Sequence, residues 1–193
     1  MTIAHPGNTA LLLLLAVCSA CGADASRSPA AHAPATPCTP GGDAFLKARL
    51  RGALDADVDW SNDAMQCEGG VRPDRSGVRA TIAGPLPGAD APRHLRFIFG
   101  IDFSDTADGA AQALPTNLTV ILEGEQTLFA TLGDDKCASE IIERRPLVSA
   151  GAGLERLLVR GYCTEPASDA SGTRRLLVST FEFASVINTG ESR

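Results

Sequence analysis

Residues 94–103 read HLRFIFGIDF and carry a large apolar side chain at every second position. Neighbouring side chains of a β-strand point to opposite faces, so this alternation predicts a strand with one buried face. We therefore expect this stretch to be the core strand against which the rest of the domain packs. Its apolar positions are Leu95, Phe97, Phe99, Ile101 and Phe103.

Alternating segments continue on both sides of the core strand. Residues 65–71 and 78–82 predict a hairpin across the turn RPDRSG, because Pro, Asp and Gly favour tight turns. Residues 118–122 and 128–132 predict a second hairpin across EGEQ. On this hairpin Leu118, Val120 and Leu122 are expected to pair with Leu128, Ala130 and Leu132.

The C-terminal part of the chain continues the same pattern. Residues 154–163 and 174–187 predict a last hairpin across EPASDASG. Pro146 cannot donate a backbone hydrogen bond, so residues 141–148 are expected to form an edge strand or a loop.

The stretch DAFLKARLRGAL (43–54) has the spacing of a helix, with Asp43 as N-cap. Its apolar face would contain Phe45, Leu46, Arg49, Leu50 and Leu54. The period then changes to two, so that Ala56, Val58 and Trp60 predict a strand. The predicted fold class is α+β, with an N-terminal helix followed by an antiparallel meander of about six to eight strands. The alternative is a β-sandwich or open barrel with the helix outside.

The N-terminal stretch LLLLLAVCSAC (11–21) is an apolar run of the length found in secretory signal peptides. Spanning a bilayer as a helix takes roughly 20 apolar residues, and this run is much shorter. Small residues at Ser19 and Ala20 precede Cys21, and this pattern resembles the lipobox of bacterial lipoproteins. The match covers residues 1–21 and departs from the usual pattern at Cys18 and in the absence of Lys or Arg before Leu11.

The resemblance implies acylation of Cys21, export to the periplasm and anchoring in a membrane, with Gly22 favouring the outer membrane. The predicted organisation is a signal peptide (1–20), a flexible Ala/Pro-rich tether (21–42), one globular domain (43–189) and a short tail (190–193). The expected partners are the membrane, through the lipid, and an envelope protein or polymer.

Four cysteines remain once Cys18 and Cys21 are assigned to the signal segment and the lipid. An oxidising compartment favours two disulfides, and short consecutive loops favour Cys38 with Cys67 and Cys137 with Cys163. A zinc site is disfavoured, because the cysteines lack the close pairs that zinc sites use.

A net charge of −6 argues against nucleic-acid binding, which needs a basic surface. The chain contains none of the motifs GxSxG, HExxH or P-loop, so we expect no catalytic residues, no cofactor and no metal. Asp55, Asp57 and Asp59 have EF-hand spacing, but Trp60 stands where the loop needs Gly. These aspartates are expected to lie on a solvated strand face. Those at positions 102, 105 and 108 would surround a calcium ion if their loop curled back on itself, but an ordinary Asp/Ser/Gly loop is the favoured interpretation.

Five arginines form two sequence groups that would bind an anionic ligand if the fold brought them together. The predicted function is a non-catalytic binding or structural role in the cell envelope. The alternatives are a small envelope hydrolase that uses His94 or the loop aspartates, and a carrier of an apolar ligand. The arginines are Arg72, Arg75 and Arg79 in one group and Arg144 and Arg145 in the other.

Overall fold

The computed structural model describes residues 38–89, 93–103, 113–125, 127–147 and 152–190. The leader and most of the tether therefore lie outside the described residues, as do Asp105 and Asp108. The described residues form β1 (Phe45–Gly52), β2 (Ala56–Ser61), a 3-10 turn (Asn62–Ala64), β3 (Gln66–Val71), β4 (Gly77–Pro85), β5 (His94–Asp102), β6 (Leu114–Glu123), β7 (Thr127–Ala130), β8 (Cys137–Pro146), β9 (Leu154–Cys163), β10 (Ala167–Asp169) and β11 (Arg175–Asn188).

The predicted α+β class is wrong, and so is the alternative with a helix packed outside. The described residues contain no α-helix, and eleven strands replace the expected six to eight. Their pairing is antiparallel except for one parallel contact between β11 and β3. No described segment is a helix of the length and apolarity needed to cross a membrane.

The expected helix at residues 43–54 is strand β1. Leu46 and Leu50 are four residues apart, a spacing that puts two side chains on one face of either a helix or a strand. Ala48, between them, is buried while Lys47 and Arg49 are exposed, which is the period of a strand. Pairing with β11 on one side and β2 on the other outweighs the helix propensity of Leu, Lys, Ala and Arg.

The strands close into a ring. Hydrogen-bonded pairs run from β3 through β4, β5, β6, β8, β9 and β11, and β11 returns to β3 where Asn188 lies opposite Gly70. The remaining strands extend this ring. β1 pairs with β11 and carries β2 beyond it, while β7 and β10 bridge β6 to β11.

Aromatic side chains fill the centre of the ring. The Phe99 ring of β5 lies 4.9 Å from the Phe181 ring and 4.6 Å from the Phe183 ring of β11, measured between centroids. Phe97 stacks beside Phe99, and Trp60 of β2 meets Phe97 edge-on. The core strand that the sequence predicts at residues 94–103 is thus confirmed as β5.

The second predicted hairpin forms, but the predicted face of its return strand is wrong. Val120 lies opposite Phe129, and Leu122 lies opposite Thr127. Phe129 is therefore buried, while Leu128 is 42% exposed and Leu132 is 84% exposed. The short turn after β6 sets this register, and a one-residue shift exchanges the two faces of a strand.

The two predicted cysteine pairs are confirmed. Cys38 is bonded to Cys67 and Cys137 to Cys163, with Cα atoms 5.1 and 3.9 Å apart. Cys38 and Thr39 are buried, and the backbone N–H of Thr39 donates to Asn62 Oδ1 at 2.9 Å. Cys38 and Thr39, which the sequence analysis assigns to the tether, are therefore packed on the domain.

Candidate functional site

His94 and Asp102 lie at opposite ends of β5, so the described part of the chain does not bring them together, and Asp105 and Asp108 lie outside that part. His94 is exposed at the start of β5, where Glu123 is its neighbour across the strand pair. The Glu123 carboxylate instead accepts a 2.7 Å hydrogen bond from Arg96. Across the described ranges, no group of three or more His, Cys, Asp and Glu side chains is placed to hold a metal ion.

Arg72, the first arginine of the predicted anion site, is enclosed by carboxylates. Its two terminal nitrogens each lie 3.3 Å from Asp134 Oδ2. Asp74 and Asp102 lie 3.4 and 3.7 Å from the same guanidinium. Arg72 therefore ties the β3–β4 turn to β5 and to the β7–β8 loop, and its charge is already balanced.

Arg145 is also engaged. Its guanidinium pairs with Glu143 and lies 3.3 Å from Asp43. Arg156, on the neighbouring strand β9, contacts the same two carboxylates at 2.7 and 3.1 Å. Nε of Arg156 forms an ion pair but no hydrogen bond with the Asp43 carboxylate, while Nη2 of Arg156 donates to the backbone carbonyl of Asp43 at 3.4 Å. Because two acids face two arginines, this cluster needs no external anion.

The fold does bring Arg75 and Arg144 together. Both line a shallow cavity of about 510 Å³ between the β3–β4 turn and β8, together with Phe103 and Thr189. Arg79 is exposed on the outside of β4 and does not line it. Of the five predicted arginines, two therefore converge and three do not.

Glu155 holds Arg144 at this cavity. The Arg144 guanidinium pairs with the Glu155 carboxylate, and Thr189 Oγ1 donates to the same carboxylate at 2.8 Å. These hydrogen bonds, that from Arg144 first, lower the pKa of Glu155 below its ordinary value of 4.5. Glu155 is thus ionised at neutral pH and fixes the position of Arg144.

A larger cavity, which we call the outer groove, lies on the outside of the ring. It has a volume of about 680 Å³. It crosses the outer faces of five adjacent strands, in the order β2, β1, β11, β9 and β8. Exposed polar side chains line it, among them Lys47, Arg49, Asp59, Tyr162 and Glu182.

Charges alternate in sign along one row of this groove. Register places Lys47 opposite both Asp59 and Glu182. Arg160 lies opposite Glu182 on one side and Glu140 on the other, and its terminal nitrogen is 2.8 Å from the Glu140 carboxylate. With strands about 4.8 Å apart, this row spans about 19 Å over the five strands. We call it the charge ladder; its order is Asp59, Lys47, Glu182, Arg160 and Glu140.

The ladder ends at a strand with one unpaired side. β2 pairs with β1 and with no other described strand. Its outer face carries Asp57 and Asp59, while Val58 and Trp60 point into the core. The predicted solvated aspartates of this segment are thus exposed, as the sequence indicates. Asp57 forms a 2.8 Å ion pair with Arg51, and Asp59 forms none with the described residues.

Sequence reasoning does not identify the outer groove. Each of its charged residues is, by itself, an ordinary outward-facing residue of an alternating strand. The alternation of charge runs across strands rather than along them, so it depends on the register of β11 with β1 and β9. The sequence indicates the groove only through its alternate charges, which are acidic at Asp57 and Asp59 of β2 and basic at Lys47 and Arg49 of β1.

Four phenylalanine side chains occupy the interior of the ring. Phe97, Phe99, Phe181 and Phe183 occupy the ring centre and are at most 2% exposed. The outer groove lies on the opposite face of the strands from these rings. The chain matches no family model, no curated protein and no solved structure. A proposal for its function therefore has to be argued from the surface and the two cavities described above.

Proposed function

We propose that this chain is an exported, lipid-anchored envelope domain that binds an extended polypeptide without catalysis. The leader pattern ending at Cys21 and the Ala/Pro-rich tether support export and anchoring. Two disulfide-bonded cysteine pairs are compatible with an oxidising compartment such as the periplasm. The binding role rests on the free edge of β2 beside the outer groove.

The observation that carries the proposal is that the charge ladder stops at an acidic edge strand. An extended peptide can add to an open sheet edge through main-chain hydrogen bonds. A peptide strand placed beyond β2 would continue the alternation if it presented basic side chains opposite Asp57 and Asp59. The partner is therefore an extended segment with Lys or Arg at alternate positions.

A second copy of the chain does not fit this edge. The outer face of β2 carries acids at Asp57 and Asp59, and Asp55 precedes them. Pairing β2 with the same strand of another copy would place carboxylates opposite carboxylates, which is destabilising. The end of β8, which pairs only with β9 among the described strands, carries Glu143, Arg144, Arg145 and Pro146, and Pro146 cannot donate to an added strand.

Replacing Cys21 with Ala tests the anchor. Without the thiol there is no acylation, so we expect the variant to leave the membrane fraction and appear in the soluble periplasmic extract. Replacing Cys18 with Ala is the matched control and should leave the protein in the membrane fraction. Unchanged membrane retention of the Cys21 variant would disprove the anchor while leaving the binding proposal intact.

A model peptide tests the binding edge. We expect an eight-residue peptide of alternating Lys and Thr to bind in isothermal titration calorimetry, and a Glu–Thr peptide of the same length not to bind. Cross-strand charge pairs contribute about 0.2–1 kcal/mol each, so losing two pairs weakens binding by roughly two- to thirtyfold. Asp57→Asn combined with Asp59→Asn should show this loss.

The control variant is Asp135→Asn combined with Glu165→Gln. Both residues are exposed and lie outside β2 and the groove lining, and the change in net charge is the same. This variant should bind the Lys–Thr peptide as the unmodified protein does. Equal weakening of binding in both variants would show that the loss comes from the change in net charge and not from the edge of β2. Failure of the Lys–Thr peptide to bind the unmodified protein would disprove the proposal.

A further inference from the structure

Arg75 occupies a backbone conformation that arginine rarely adopts. Its φ is 61°, in the left-handed region that favours Gly or Asn. The turn fixes this conformation, because the Arg75 N–H donates to Arg72 O at 2.9 Å and the Ser76 N–H donates to Asp74 Oδ1 at 3.1 Å. Glycine would make the same turn at lower cost, so the side chain of Arg75 is the feature that needs an explanation.

The Arg75 side chain lines the cavity that also contains Arg144. It forms no ion pair or side-chain hydrogen bond with the described residues. None of the residues lining this cavity is Asp or Glu. Val71, Val78 and Phe103 supply its apolar surface. The cavity therefore combines cationic groups with an apolar wall.

Arg144 is held in place from two sides. Its guanidinium carbon lies 5.9 Å from the centroid of the Phe103 ring, within the range of a cation–π contact. Glu155 pairs with it through Nε and Nη2. Its remaining terminal nitrogen, Nη1, makes no hydrogen bond with the described residues. One donor group of Arg144 thus stays available beside the uncompensated charge of Arg75.

We propose that this cavity binds a phosphate monoester whose organic part is apolar. The Arg75 guanidinium supplies the main ionic contact, and Nη1 of Arg144 supplies a second donor. Guanidinium groups match the geometry of phosphate oxygens. Val71, Val78 and Phe103 contact the apolar part, which distinguishes the ligand from inorganic phosphate. This site is separate from the outer groove and does not depend on the proposed peptide binding.

The test uses phenyl phosphate and inorganic phosphate as probes, with binding followed by NMR chemical shifts of the purified protein. We expect saturable shifts for residues 71–78 and 103, and binding of phenyl phosphate about tenfold tighter than that of inorganic phosphate. Arg75→Gly should weaken phenyl phosphate binding by at least about tenfold, equivalent to roughly 1.4 kcal/mol.

The Arg75→Gly variant also separates binding from folding. Because glycine adopts the positive φ without strain, this variant should be at least as stable as the unmodified protein. Arg79→Ala, which removes an exposed arginine outside the cavity, should bind phenyl phosphate unchanged. Equal loss in both arginine variants, unchanged binding by Arg75→Gly, or no saturable shift with either probe would overturn the proposal. Equal affinity for the two probes would do the same, since the apolar wall would then contribute nothing.

Discussion

Phe99→Ala should lower the free energy of unfolding by about 3–5 kcal/mol, the usual cost of removing a buried phenylalanine. Phe99 is fully buried, and its ring contacts the rings of Phe97, Phe181 and Phe183. These contacts join β5 to β11 across the centre of the ring. The neighbouring strands cannot collapse into the space because they are fixed by hydrogen bonds on both sides, so a cavity remains.

Urea unfolding measures this effect directly. Trp60 is the only tryptophan in the chain, and it lies 5.7 Å from the Phe97 ring in the same cluster. Its fluorescence therefore reports on the loss of the core. Leu132→Ala is the control, since Leu132 is 84% exposed and its truncation should change stability by less than about 0.5 kcal/mol. A Phe99→Ala loss as small as that of the control would be inconsistent with a ring centre packed by aromatic residues.

Replacing Cys137 and Cys163 together with Ala should cost about 3.5 kcal/mol by the loop-entropy relation. The two cysteines are 26 residues apart in sequence. The expected loss comes mainly from the greater freedom of the unfolded chain. The measurement is again urea unfolding, compared between the oxidised protein and the double variant.

The second cysteine pair provides a matched comparison. Cys38 and Cys67 are 29 residues apart, so the same relation predicts a nearly equal loss when both are replaced with Ala. Peptide mapping of the non-reduced protein should find each cysteine linked to the partner given by the structure. Free thiols at Cys67 or Cys137, or a loss below about 1 kcal/mol for either pair, would show that these bonds do not restrain the unfolded chain as expected.

The sequence predicts the features that follow from a local pattern or from the number and spacing of the cysteines. The alternation in residues 94–103 identifies β5 because every second residue is large and apolar. The cysteine pairs follow from parity and loop length. The sequence gives the wrong secondary structure for residues 43–54, because the spacing of Leu46 and Leu50 fits one face of a helix or of a strand. Only the pairing of β1 with β11 decides between the two.

Features that depend on strand register, or on how distant strands and turns pack together, are not predictable in this way. The burial of Phe129 instead of Leu128 follows from a turn register that a pattern of apolar residues does not specify. The convergence of Arg75 and Arg144 requires the β3–β4 turn to meet β8, although the two arginines are far apart in the chain. The charge ladder requires the register of four strand pairs at once.

The position of β11 in the ring has a consequence for the time at which the protein can fold. β11 pairs with β1, the first strand of the described residues, through Phe45 and Ala184, and it also pairs with β3, β9 and β10. A chain that has been synthesised only as far as residue 175 lacks β11, the strand with which all four of these strands pair. Such a chain would be unable to close its core, so folding must wait until the last strand is available. Delayed closure of this kind would keep the chain unfolded until synthesis has passed β11.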